Sequence, residues 1–220
     1  RPSLYRWRIL VEPSHYLLAI PPISVEELPR DVRLYLEWGA SSGAAEPAIN
    51  AFGKHWYSHI YKQIQAKKPY GHIFLPDKID PSFKSRGVYA NYTEKPAIAT
   101  KNFHIVRLGD EAAKALVAWF NSTPFLAILT LLGRRISKNW TRLLEDDYLK
   151  LPTLNTRKVD PKHLRNISKK LEKIIRTNLP PIPKQLKQNY RIELDTAIIE
   201  AATKREPRKL AEKIHEALCW

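Results

Sequence analysis

The stretch His72-Ile73-Phe74-Leu75-Pro76-Asp77-Lys78 opens three compact segments, residues 72–75, 87–92 and 97–106. They are separated by Pro76-Asp77-Lys78, Pro81-Ser82 and Glu94-Lys95-Pro96. Apolar, β-branched and aromatic side chains bounded by such breakers read as sheet strands joined by turns. Helical periodicity lies on either side of the run. The fold class predicted is therefore α/β (α+β): a small twisted mixed sheet flanked by helices, followed by a helical C-terminal appendage.

Upstream, Tyr5-Arg6-Trp7-Arg8-Ile9-Leu10-Val11 alternates basic with apolar side chains, and residues 16–20 form a short apolar run before Pro21-Pro22. Both read as short strands. Ser24 and Glu27 have capping-box spacing, a helix is predicted from about 30 to 38 with Gly39 ending it, residues 40–48 read as loop, and 57–66 as helix. Downstream, Asp110 is expected to cap a helix over 111–121, and a second helix begins near Pro124 and stops at Gly133. This pair reads as core. Residues 136–149 give a short basic turn and one more helical turn, and Leu151-Pro152 opens an extended connector. A domain boundary is expected there, dividing 1–152 from a basic helical appendage, 153–220. In the latter, Leu164, Ile167, Leu171, Ile174 and Ile175 recur at helical spacing among lysines and arginines, prolines 180, 181 and 183 break the helix, and two more helices follow near 192–203 and 207–218.

The 220 residues carry 37 Lys plus Arg against 22 Asp plus Glu, a formal charge of +15, with 44% apolar and 10% aromatic residues. That apolar content excludes global disorder. No uninterrupted apolar run reaches the roughly 20 residues a membrane span needs. Cys219 is the only cysteine, so no internal disulfide forms, and an intracellular, cytoplasmic setting is expected. No methionine occurs at position 1 or elsewhere, and no signal-peptide core opens the chain, so it reads as a piece of a longer protein. Scarce Cys and Met with 17 prolines leans toward thermophile usage. Positive charge is densest between residues 151 and 191, where 11 Lys or Arg face only Asp160 and Glu172.

Metal chemistry needs ligands at matched spacing, and His55 with His59 has no third partner in sequence. Glycines are spent singly, so neither a Walker loop nor a dinucleotide fingerprint exists, and no Gly-x-Ser-x-Gly elbow occurs. Asp77, Asp80 and Glu94 are the nearest to a Mg²⁺-nuclease set, although turn and capping roles suit them as well. The distinctive pattern is cations interleaved with aromatics. Lys78, Lys84 and Arg86 flank Phe83 and Tyr89; Lys101, Asn102, His104 and Arg107 surround Phe103; Arg134, Arg135, Lys138, Asn139 and Arg142 surround Trp140. Such clusters suit a polyanion: cations neutralise phosphates, Arg and Asn read base edges, aromatics stack. Equally, Phe83, Phe103 and Trp140 could be core anchors with solvated basic neighbours.

Several phrases in order resemble the C-terminal target-recognition region of adenine-specific DNA methyltransferases, especially type IIG restriction-modification enzymes. Phe52-Gly53-Lys54-His55-Trp56-Tyr57 looks like its opening, and Ile73-Phe74-Leu75-Pro76-Asp77-Lys78-Ile79 like its first strand and turn. Arg86-Gly87-Val88-Tyr89-Ala90-Asn91-Tyr92 with Ala97-Ile98-Ala99-Thr100-Lys101-Asn102-Phe103 resembles its paired strands. Ala118-Trp119-Phe120-Asn121-Ser122-Thr123-Pro124-Phe125 resembles its helix junction, and Leu132-Gly133-Arg134-Arg135-Ile136-Ser137 with Leu149-Lys150-Leu151-Pro152 its ending. The resemblance covers about residues 50–155, with a weaker similarity over 191–218.

This resemblance implies double-stranded DNA as partner, recognised while a separate domain that binds S-adenosylmethionine flips out and methylates an adenine. The family's catalytic Asn/Asp-Pro-Pro-Tyr/Phe motif is missing here, because Pro21-Pro22 and Pro180-Pro181 are each followed by Ile, and the cofactor loop is missing too. The chain is therefore expected to be non-catalytic and to bind no cofactor, with the methyltransferase domain of the same polypeptide N-terminal to Arg1. The residues expected to reach DNA are Lys78, Lys84, Arg86, Lys101, Asn102, Arg134, Arg135, Lys138, Asn139 and Arg142. Lys84 and Arg86 are assigned to base or groove contacts, Arg134, Arg135 and Lys138 to phosphates, and the face near Lys169, Lys170 and Lys173 to nonspecific affinity. Two alternatives stand beside this reading: a metal-dependent nuclease, and a helical module whose basic face docks on an acidic protein. RNA recognition is a variant of the first.

Overall fold

Pro29 ends an extended approach, and the chain turns into α1 (Arg30–Ser41), which starts without a side-chain cap. A computed structural model describes residues 6–9, 17–68, 70–132, 134–137, 140–203 and 206–218, with only the backbone for 132, 134–137 and 140. The Ser24–Glu27 pair forms no capping box. Residues Val25–Glu27 make a 3-10 turn instead, and the Ser24 hydroxyl bonds the Glu26 carboxylate. Gly39 does not end α1. A Cβ there would already touch Ala45 and Trp56, so the glycine serves close packing, and the helix stops near Gly43 at φ 77°. The stretch read as loop, 40–48, holds the end of α1 and the start of α2 (Glu46–Phe52), begun by Pro47 in its first turn, and a 3-10 segment then leads into α3 (His59–Ala66). Ile20, Leu28, Leu36 and Tyr57 form the core of this part, with the Tyr57 hydroxyl donating to the Ile23 carbonyl at 2.6 Å. It constitutes one compact unit, residues 11–69.

The second unit comprises residues 1–10 and 70–220. Its central strand is β1 (Gly71–Pro76), flanked antiparallel by β3 (Asn91–Ala97) and β4 (Phe103–Val106), with Ile73 opposite both Tyr92 and Val106. Ile73, Phe74 and Leu75 are all buried, so both faces of β1 are covered. Residues 87–90, predicted as strand, are irregular, and pairing starts only at Asn91. At the outer edge of β3, Arg8 makes a single parallel bridge to Tyr92. Only residues 6–9 of the predicted first strand are described, and residues 17–20 form no strand.

A second, smaller sheet has the order β2-β6-β5, with β2 (Lys78–Ile79), β5 (Arg134–Ser137) and β6 (Trp140–Arg142) antiparallel. The predicted basic turn is thus a hairpin. Between the sheets in sequence lie α4 (Asp110–Asn121) and α5 (Thr123–Leu132), bent by 55° about Ser122. Gly109, not Asp110, takes the N-cap position of α4, and Asp110 lies in its first turn, where the Tyr92 hydroxyl donates to its carboxylate. Among the described residues no single helix is long and apolar enough to cross a membrane.

α6 (Glu145–Lys150) precedes the connector, after which come α7 (Pro161–Glu172), α8 (Ile182–Gln185), α9 (Asn189–Ala202) and α10 (Pro207–Ala217). These are not a separate appendage beginning at residue 153. α7 packs on α4 and α9, α9 on α10, and α10 on α5. Leu164, Ile167, Leu171, Leu194 and Ile198 belong to the same core as Ile73, Leu75 and Phe125. The amphipathic helices read from the sequence dock on the sheet's own helices, because the almost wholly buried α4 needs apolar cover beyond what the sheet supplies.

Candidate nucleic-acid interface

Of the residues predicted to meet an anionic polymer, Lys78, Lys101, Asn102 and Arg142 gather around the corner at Asp77. There β1 passes into β2, and backbone bonds tie three pieces of chain together: Asp77 N–H donates to Asn102 O at 3.0 Å, and Leu143 N–H donates to Asp77 O at 2.8 Å. Two aromatic supports lie beneath. The Tyr148 hydroxyl, from α6, donates to Pro76 O at 2.7 Å and is also bonded to the hydroxyl of Tyr89; burial pushes both phenols far above their ordinary range. His104 Nε2 donates to Leu143 O at 2.9 Å. The sequence placed His104 in the cluster around Phe103 without assigning it a contact and missed Tyr148; the structure makes both of them props for the corner. Nothing local signals this role, since the partners of Tyr148 lie on β1 and in the stretch before β3.

Register arranges the charges. Lys78 pairs with Arg142 across β2 and β6, and Arg142 with Arg134 across β6 and β5, so three cationic residues occupy one row of the small sheet. The next row holds Ile79, Thr141 and Arg135. Ile79 and Thr141 are buried whereas Lys78 and Arg142 are exposed, the alternation expected of a sheet with one solvated face. Like charges directly opposite each other destabilise a sheet. Neither Lys78 nor Arg142 is paired with a carboxylate among the described residues, which therefore leave the repulsion between them uncompensated. Lys101 and Asn102 are exposed on the turn whose carbonyl receives Asp77 N–H, and Lys84 is exposed on the turn after β2. The acids that follow, Glu145, Asp146 and Asp147, form the first turn of α6, where Asp147 accepts from Leu144 N–H at 2.8 Å.

Arg86 departs from its expected role. It is buried, 9% exposed, with its Nε unpartnered among the described residues, and burial lowers its guanidinium from the ordinary value, an effect Tyr89, Tyr148 and Asp80 partly offset. A groove contact from this position is excluded in the observed conformation. The reason is the preceding turn. Asp80 accepts from Ser82 N–H and Oγ at 2.9 and 2.7 Å, and buried Phe83 takes φ 52°, a left-handed conformation rare for a bulky residue. The chain is thereby aimed inward, leaving Lys84 outside and Arg86 inside. Phe83 is a core anchor, and Phe103 is half-buried. Lys138 and Asn139 lie outside the described residues, and Arg134, Arg135 and Trp140 are placed by backbone alone.

The alternative chemistry is differently disposed. Asp80 is engaged in its turn, and Glu94 is ion-paired with Arg8 at 2.6 Å. Among the described residues no three His, Cys, Asp or Glu are grouped to hold a metal. His55 Nδ1 meets the Tyr57 hydroxyl at 3.1 Å, and His59 stacks on Phe52. Comparison with family models, with curated proteins and with solved structures finds no match.

Proposed function

We propose that the chain recognises duplex DNA in a sequence-specific way, as the non-catalytic specificity portion of an adenine-specific DNA methyltransferase or restriction-modification enzyme. S-adenosylmethionine would belong to the catalytic domain of that parent. The observation that carries the DNA reading is the cross-strand row Lys78–Arg142–Arg134, bordered by Lys101 and Asn102. A phosphate backbone supplies the counter-charge such a row lacks. Arg142 and Asn102 offer the fork-shaped and amide groups that read base edges, and Lys84 is a phosphate or groove contact from its exposed turn.

The deciding experiment incubates the chain with a randomised duplex library at about 0.15 M salt and sequences what is retained. A reproducible short motif is expected, and flat retention would refute specific recognition. Arg142→Ala should weaken the selected duplex by about 1 to 3 kcal/mol and relax one position of the motif. Lys78→Ala should weaken every duplex alike and lower the salt slope by about one.

A further inference from the structure

We infer that the outer face of α7 is a second contact surface for the same duplex, lying along its phosphates; this rests on the DNA reading above. Lys162, Arg165, Lys169 and Lys173 follow one another at helical spacing, with Arg176 just beyond, and all five are exposed. The opposite face is buried through Leu164, Ile167 and Leu171. The neighbouring acids are already taken: Glu172 pairs with Lys114 at 3.1 Å, Glu193 with Lys170 at 2.6 Å, and Asp160 accepts from the backbone of Lys162 at 2.7 Å as the helix cap. Lys170, grouped in sequence with the basic face, thus belongs to the packing against α9. Lys173 lies near Glu193, but that carboxylate is already bonded to Lys170.

Helix stability accounts only for the far half of the stripe, where Lys169 in the last turn and Lys173 at the C-cap favour the helix dipole. Cations in a first turn oppose the helix dipole, and α7 has Lys162 and Arg165 near its start with no acid in that turn. From Lys162 to Lys173 the helix rises about 17 Å at about 1.5 Å per residue, matching about five steps of a DNA strand at about 3.4 Å each. Without an apolar anchor, the stripe suits phosphates better than a protein groove. The segment beyond its far end is also bonded to the backbone that follows the Lys84 turn. Ile182 N–H donates to Arg86 O at 2.9 Å, Gln185 Nε2 donates to Gly87 O at 2.6 Å, and a Cβ on Gly87 would lie 2.6 Å from Leu179 O. The segment leaving Arg176 is therefore seated on the residues just after Lys84, within one compact unit.

The test uses the full chain with Lys162→Gln, Arg165→Gln and Lys169→Gln combined, binding the selected duplex and a random one from 50 to 200 mM salt. Removing three phosphate contacts should flatten the salt slope by about 2.7, so the native advantage shrinks about 40-fold across that range. The loss should be equal for both duplexes and leave the motif unchanged. Lys162→Arg with Lys169→Arg should keep the native slope, as should neutralising Arg208 and Lys209, which are paired with Glu212 and Glu206 on α10. An unchanged slope in the triple variant overturns the inference, and so does a loss confined to the selected duplex. Flat retention by the native chain with a stripe-dependent slope would sink specificity alone; no duplex affinity at all would sink both.

Discussion

Asn121 meets four backbone groups at once. Its Oδ1 accepts from Tyr89 N–H at 2.7 Å and Ala90 N–H at 3.2 Å, while Nδ2 donates to Ala90 O and Val117 O, both at 2.9 Å. The irregular stretch before β3 has no ladder, so this one side chain supplies the bonds a strand partner would have given. Asn121→Ala should cost about 2 to 4 kcal/mol, because two buried N–H groups lose their acceptor; urea unfolding of the two proteins measures it. The phrase around Asn121 was legible as a helix junction, yet its bonds reach 31 and 32 residues back, beyond any periodicity. Lys84 and Arg86 teach the same lesson. Two residues apart on one turn, they are equivalent as sequence, and only the inward course set by Phe83 and Gly87 separates an exposed cation from a buried one.

Helices α4, α5, α9 and α10 read clearly from caps and apolar spacing, and their boundaries agree with the pattern within a few residues. What joins them did not. The wholly buried Asp195 of α9 accepts from Thr123 N–H at 3.1 Å, at the start of α5, and from His215 Nε2 of α10 at 2.7 Å; Arg191 lies 3.5 Å away and bonds the Thr123 hydroxyl at 3.0 Å. His215 Nδ1 meets Leu186 O at 3.0 Å, so both ring nitrogens face an oxygen and the imidazole bridges α10 to α9 and to the end of α8. As sequence, Arg191 and Asp195 are an ordinary i,i+4 pair of the kind that decorates exposed helices. Burial changes its weight. Asp195→Ala should destabilise the fold by about 3 to 5 kcal/mol, since it strands a buried arginine and histidine; Asp195→Asn should cost less by retaining shape. Thermal unfolding of both variants tests the order. The small sheet was the least legible element, because strands of two to four residues show no alternation long enough to separate them from turns.

At the scale of the molecule, the extended connector after Leu151 looked like a boundary because composition and charge change there, and neither reports what packs on what. Trp119 of α4 donates from Nε1 to Pro152 O at 3.1 Å, and Leu151 and Leu154 are buried in the main core, so the connector is itself an inner part. A chain ended at residue 152 should therefore lack a cooperative unfolding transition and fixed near-ultraviolet signals, having lost the cover of α4; a sharp transition would show that residues 153–220 are dispensable. The same architecture ties the two ends of this unit together. Trp7 is fully buried, its carbonyl receives Tyr92 N–H at 2.7 Å, and Arg8 N–H donates to Ile175 O at 3.0 Å. On a translating ribosome Ile175 follows Trp7 by about 170 residues, a delay on the order of ten to thirty seconds at about 5 to 20 residues per second. Throughout that interval a large indole has no finished pocket, so its burial waits until synthesis has passed α7.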